Sequence, residues 1–197
     1  MAVCDDVIAY DVEVDCAELP VAGLEDDAVL INRADIDFDA CVFDGTQTNI
    51  ITDLVLKTGK RGYKVKQMKT SFNGTKWEQS EGTYRNGAKH TFAFVNPDRS
   101  AKGKELDSLI LNGKFVAVIE NKAAPDNGKF EILGFGTGLS VPAIARDYVA
   151  NEVGGVTAIT LASMENEPKA PYCYYKTSLV VTRAAFESLT VVPVVIP

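Results

Sequence analysis

The chain has 197 residues, 46% hydrophobic and 24% charged, the balance of a soluble globular protein with room for one core and its arms. No apolar run approaches the roughly 20 residues that span a bilayer, so no membrane association is expected. "MAVCDDVIAYDVEVDC" has acids where a secretion leader has a basic flank and an uninterrupted apolar stretch, so none is expected there. The net charge of −7 disfavours a protein that works by neutralising phosphates.

Residues 1–30 show no sustained period, and their acids and Pro20 predict an arm leading into a domain over 31–190. In "ADIDFDACVFD" the spacing puts Asp35, Asp37 and Asp39 on one face of a half-buried strand and Ile36 and Phe38 on the other. "NIITDLVLKTG" and "GYKVKQMKT" follow as strands, separated by a glycine turn. "FNGTKWEQSEGTYRNG" is either a loop or a set of short hairpin strands, and "KHTFAFVNPD" is a strand that stops at Pro97. A helix is expected at about residues 100–112, with Ser100 as N-cap, a stripe of Leu106, Leu109 and Ile110, and Asn112-Gly113 as its end. "KFVAVIENK" and "KFEILGF" form a hairpin around "APDNG". "GVTAITLASM" and "YCYYKTSLVV" are later strands, "TRAAFESLTVVPVVIP" is ambiguous between helix and strand, and 191–197 is an apolar tail. The fold class is mainly β: an antiparallel sandwich or barrel with one flanking helix.

Charge is unevenly distributed. Thirteen acids and one base, Arg33, fall in residues 1–45, giving −12 there and +5 in the remainder. Lys57, Lys60, Arg61, Lys64, Lys66, Lys69 and Lys76 follow without one acid among them. With Tyr63, Phe72 and Trp77 nearby, this segment has the composition of a single-strand nucleic-acid groove. The overall acidity favours instead a flank that meets acidic protein surface.

Three chemical readings compete with a structural one. Gly134, Gly136 and Gly138 follow an apolar run, as in a turn that cradles a dinucleotide or S-adenosylmethionine. Such folds need alternating βα units, and the strand-rich surroundings favour a bend or bulge where another backbone comes close. His90 is the single histidine, and no orienting partner lies near it in sequence, so a structural role is favoured over catalysis. Asp35, Asp37 and Asp39 have calcium-loop spacing, but the intervening Ile36 and Phe38 favour an acidic strand face. Cys4, Cys16, Cys41 and Cys173 have no C-x-x-C spacing and are expected as reduced thiols.

Between Lys114 and Tyr175 the chain resembles the major tail proteins of long-tailed phages, which form the tail tube. The residues that carry the likeness are Gly134, Gly138 and Leu139, then Gly155, Thr157, Ile159, Thr160 and Leu161, then Glu165, Glu167 and Pro168. The resemblance implies a non-enzymatic virion protein without cofactor or metal, made in the host cytoplasm. It implies six copies closing into rings that stack into a hollow tube, meet other tail and tail-completion proteins, and pass DNA without binding it specifically. Candidate subunit contacts are Lys57, Lys60, Arg61, Lys64, Lys66, Lys69, Lys76 and Trp77 with Asp5 and Asp6 of the acidic N-terminal stretch. Asp35, Asp37 and Asp39 are candidates for a lumen face. A head–tail joining or decoration sandwich and a methyltransferase-like enzyme using the Gly134–Gly138 turn are the alternatives.

Overall fold

Period-two patterning over most of the chain produces strands, and glycine or Asx turns separate them. A computed structural model describes residues 21–67, 72–82, 86–149, 155–164 and 166–191. In chain order the elements are β1 (Val21–Asn32), β2 (Val42–Phe43), β3 (Ile50–Asp53), β4 (Tyr63–Lys66), β5 (Lys76–Ser80), β6 (Gly87–Asn96), α1 (Ala101–Ile110), β7 (Phe115–Ala123), β8 (Phe130–Leu133), β9 (Leu139–Arg146), β10 (Thr157–Ser163), β11 (Tyr172–Tyr174) and α2 (Leu179–Ser188). The fold is mainly β with flanking helix, as the patterning predicts.

The strands make one hydrogen-bonded network with two parts. One runs β2–β3–β11–β8–β7–β1–β4, and the other runs β9–β10–β6–β5. They meet where Phe115 of β7 pairs with Leu139 of β9. Among the described residues all pairings are antiparallel except β3 with β11. The larger part is buried on both faces. Val29, Ile31, Val116 and Val118 join a core that includes Phe186 and Leu189 of α2 and its end. Their neighbours Ala28, Leu30, Ala117 and Ile119 face a second core with Phe92, Phe94, Ile159 and Leu161 of the four-stranded part. The result is a sandwich with α2 as a third layer.

Double-sided burial explains the first departure from expectation. Val21–Asn32 is a strand at the heart of the molecule, not an arm, so the sheet includes residues before 31. Its register shifts twice before Ala28, which hides alternation, and Ala28–Ile31 then reads as a continuous apolar run because both faces are covered. A second departure is β9. "LSVPAIAR" is an edge strand, and Pro142 falls where the β9–β10 register shifts between Thr160 and Ala162, so its missing N–H costs no ladder bond.

Other expectations needed correction as well. Asp35, Asp37 and Asp39 do not share a strand face. Arg33–Asp35 is a turn of 3₁₀ helix, Ile36 makes an isolated bridge to Leu56, and residues 38–40 form a turn in which Asp37 accepts the Ala40 N–H. Short carboxylate side chains here compete with the ladder for backbone donors. Leu179–Ser188 is a helix, so the strand expected over "YCYYKTSLVV" ends at Tyr174. Ser178 caps it, its hydroxyl accepting the Val181 N–H. α1 starts at its predicted cap, Ser100 accepting from Gly103. Of the expected stripe, however, Ile110 alone is buried, while Leu106 and Leu109 are 44% and 67% exposed. Polar contacts hold this helix instead: Asn96 donates to Gly103 O and Asp107, and Asp107 also receives Arg146 and Thr157.

Candidate functional site

The glycine run forms the connection between β8 and β9. Gly134 and Gly138 have φ of +75° and +88°, conformations that L side chains rarely adopt. Between them the backbone N–H groups of Gly136 and Thr137 point the same way, as they would around a phosphate. Their anion is the protein's own. Glu167, 1% exposed, accepts from Gly136 N at 2.9 Å, Thr137 N at 2.9 Å and Thr137 Oγ1 at 2.8 Å. A Cβ on Gly136 would lie 2.5 Å from Glu167 Oε2, so glycine is required for this close approach. The turn leads into strand β9, and the helix N-terminus that a dinucleotide site needs does not follow it.

His90 seals the same region. It is 1% exposed on β6, where Nδ1 accepts the Gly134 N–H at 3.1 Å and Nε2 lies 3.1 Å from Lys169 O. One ring nitrogen accepts and the other donates, which is the neutral Nε2–H tautomer. Burial pushes the imidazole below its ordinary value, against the opposing pull of nearby Glu167. The backbone of Glu167 also pairs with Ala88 in both directions. On the outer side, Arg33 donates to Gly136 O at 2.5 Å and lies over the Phe38 ring, which packs edge-on against Phe135. The loop at 166–169 is thus latched onto the glycine turn by one carboxylate and one imidazole. Sequence reading named Glu167 through a family likeness alone. A lone buried carboxylate leaves no local pattern, since its partners lie about thirty residues away.

The basic segment does not form one bare patch. Lys57 donates to Ala34 O, Lys60 pairs with Asp35 at 3.2 Å, and Lys64 pairs with Asp27 at 2.7 Å. Arg61 reaches Thr190 O and lies over Tyr63. Lys66 lines a mixed-charge cleft of about 420 Å³ with Asp26, Asp27, Glu120, Lys129 and Arg183. Lys76 pairs with Glu78 on β5, where Trp77 is 53% exposed. Lys69, Asp5 and Asp6 lie outside the described residues. Asp35, Asp37 and Asp39 lie around the turn beside Phe38, separate from the four-stranded part of the sheet.

What remains unsatisfied is strand edge. Among the described residues β5 pairs with β6 alone, and β9 pairs with β10 along its length but touches β7 at Leu139 only. Following the antiparallel pairings across the sheet, β5 and β9 run in opposite directions. On β9 and β10 the outward face carries Ser140, Ala143, Ala145, Ala158 and Thr160, which alternate with core-facing Ile159 and Leu161, and on β5 and β6 it carries Lys76, Glu78 and Lys89. β4 likewise pairs with β1 alone among the described residues.

No protein-family model, curated protein or solved structure matches this chain. Among the described residues, no helix is long and apolar enough to cross a membrane.

Proposed function

We propose that this protein is a structural subunit of a phage tail tube, assembling as stacked rings around a channel that conducts DNA. The observation that carries the reading is the pair of edges on one four-stranded sheet that no described residue covers. Because β5 and β9 run oppositely, β5 of one copy fits beside β9 of the next as one more antiparallel neighbour. The contact is heterologous, so repeating it closes a ring or propagates. It also removes two edges that are aggregation hazards in a monomer, while Pro142 limits where β9 can pair.

In such a ring the outward face of the same sheet lines the channel. Its small uncharged side chains on β9 and β10 offer a passing phosphate backbone no salt bridge, and on β5 and β6 the same face sets Glu78 beside Lys76 and Lys89. Asp35, Asp37 and Asp39 then lie away from the wall. The latch at Glu167 and His90 supports the reading too, because it uses a ligand-like turn to fix loop geometry.

Electron microscopy and sedimentation of the purified protein test this. Rings and tubes are expected. A monomer at all concentrations sinks the proposal, and single rings that never stack favour a head–tail joining protein instead.

A further inference from the structure

We infer that the His90–Glu167 latch is released by acid: a proton taken up by the His90 ring frees the loop at 166–169 from the glycine turn while the two cores stay packed. The inference stands apart from the tube reading, since it concerns contacts inside one subunit.

The two ring nitrogens carry it. Nδ1 accepts the Gly134 N–H and Nε2 donates to Lys169 O, so the neutral imidazole joins turn and loop with a single proton. An imidazolium has a proton on each nitrogen and accepts nothing. Its Nδ1–H would point at the Gly134 N–H, two donors with no acceptor between them. The backbone of Gly134 is held at φ +75° by the turn, and the ring is 1% exposed, so solvent does not supply the missing acceptor while the latch is shut.

The groups around the ring fix the direction of the effect. Glu167 in the loop draws a proton toward His90, and burial opposes it more strongly. That carboxylate is committed to Gly136 N, Thr137 N and Thr137 Oγ1, so it serves an imidazolium only by leaving the turn. Lys169 turns its carbonyl to the ring, while its ammonium lies near Thr48 Oγ1 and 5.9 Å from the centroid of Tyr172. From β10 the neighbour is the Ser163 hydroxyl, which accepts the His90 backbone N–H, and across from β5 it is Trp77, both uncharged. On β11, burial raises Tyr172 and Cys173, which keeps both neutral. Glu131 of β8, bonded to Asn121 and also raised by burial, is the rival titrating group.

One proton therefore sets the halves of the latch against each other: His90 gives up Gly134, or Glu167 gives up Gly136 and Thr137. Either way the loop loses its hold on the turn. Its other ties include the two-way backbone bridge between Glu167 and Ala88. None of the described members of the two cores comes from the loop, so opening is local.

Hydrogen exchange followed by NMR tests this at the amides of Gly134, Gly136 and Thr137. Opening returns His90 to its ordinary 6.5, while the latched ring lies below that value. Between the two, the open form binds one proton more than the latched form. Opening should therefore grow about tenfold per pH unit as pH falls through that range, and stay flat above about pH 7. After correction for intrinsic exchange, we expect this slope at the turn, with opening at least about tenfold more frequent than at Val116 and Val118 of β7. Exchange no faster than in β7 means that the latch opens only with the whole fold, and a flat response below pH 6.5 means that no proton is involved. Either result overturns the inference. His90→Gln keeps a donor and an acceptor and is expected to abolish the slope; a slope that survives belongs to another group such as Glu131 and overturns the inference too. A second measurement needs no variant, because His90 is the single histidine and its ring signals are unambiguous. They are expected to show the Nε2–H tautomer and a midpoint below 6.5 that the Gly134 amide shares. A midpoint at or above 6.5, or a Gly134 signal that ignores the ring's titration, overturns the inference.

Discussion

Replacing Glu167 by alanine tests the account of the glycine turn most directly. The carboxylate is buried and receives three donors, two from the backbone and one hydroxyl. Hydrogen bonds to a charged group contribute about 1.5–3 kcal/mol each, but three on one group are not additive. We expect Glu167→Ala to cost about 4 kcal/mol, because Gly136 and Thr137 keep donors with no acceptor of matching reach. At about 2–4 °C per kcal/mol for a chain of this size, calorimetry should show melting lowered by about 10 °C. Glu167→Gln retains one oxygen for Thr137 but turns an amide donor toward the Gly136 N–H, so it should lie between alanine and the original residue. Gly136→Ala places a Cβ against Glu167 Oε2 and Pro168 Cδ, evicting the carboxylate. Its cost and that of Glu167→Ala should therefore fall well short of adding in a double-mutant cycle. A loss below about 1 kcal/mol for Glu167→Ala, or full additivity with Gly136→Ala, would refute the latch.

The imidazole of His90 is held below its ordinary value of 6.5 chiefly by burial. Below pH 6.5 the unfolded chain therefore binds more protons there than the folded one, and stability should fall as pH drops from 7 through 6.5 toward the folded value. His90→Gln, which keeps an acceptor and a donor, should flatten that part of a stability–pH profile. Glu120 is 3% exposed, held by both terminal nitrogens of Arg183 and by Lys129 at 3.8 Å. Arg183 is 44% exposed, so Arg183→Ala should cost a moderate amount, about 1–3 kcal/mol in urea titration, by leaving Glu120 buried beside the more distant lysine. Adding Glu120→Ala should recover part of that loss. Ser100→Ala should remove the α1 cap at a cost of about 1 kcal/mol, read from the denaturant midpoint.

The mainly-β architecture, the Ser100-capped helix, the β7–β8 hairpin and the strands β3, β4, β6 and β10 follow from the sequence, because each depends on interactions within a few residues. Alternation, an N-cap and an Asn or Gly turn act over one element. Where the amino acids alone mislead, a distant contact overrides the local signal. Asp35, Asp37 and Asp39 alternate like a strand face, yet they sit in a turn region where Asp37 bonds its own backbone. β1 lacks alternation because sheet and helix cover it from both sides. The glycine run reads as a cofactor cradle until Glu167 arrives from another loop to fill it. Composition and spacing thus determined which segments extend and which bend. Tertiary structure decided which strand edges stay open and which donors are already satisfied, since both depend on what the rest of the chain brings alongside.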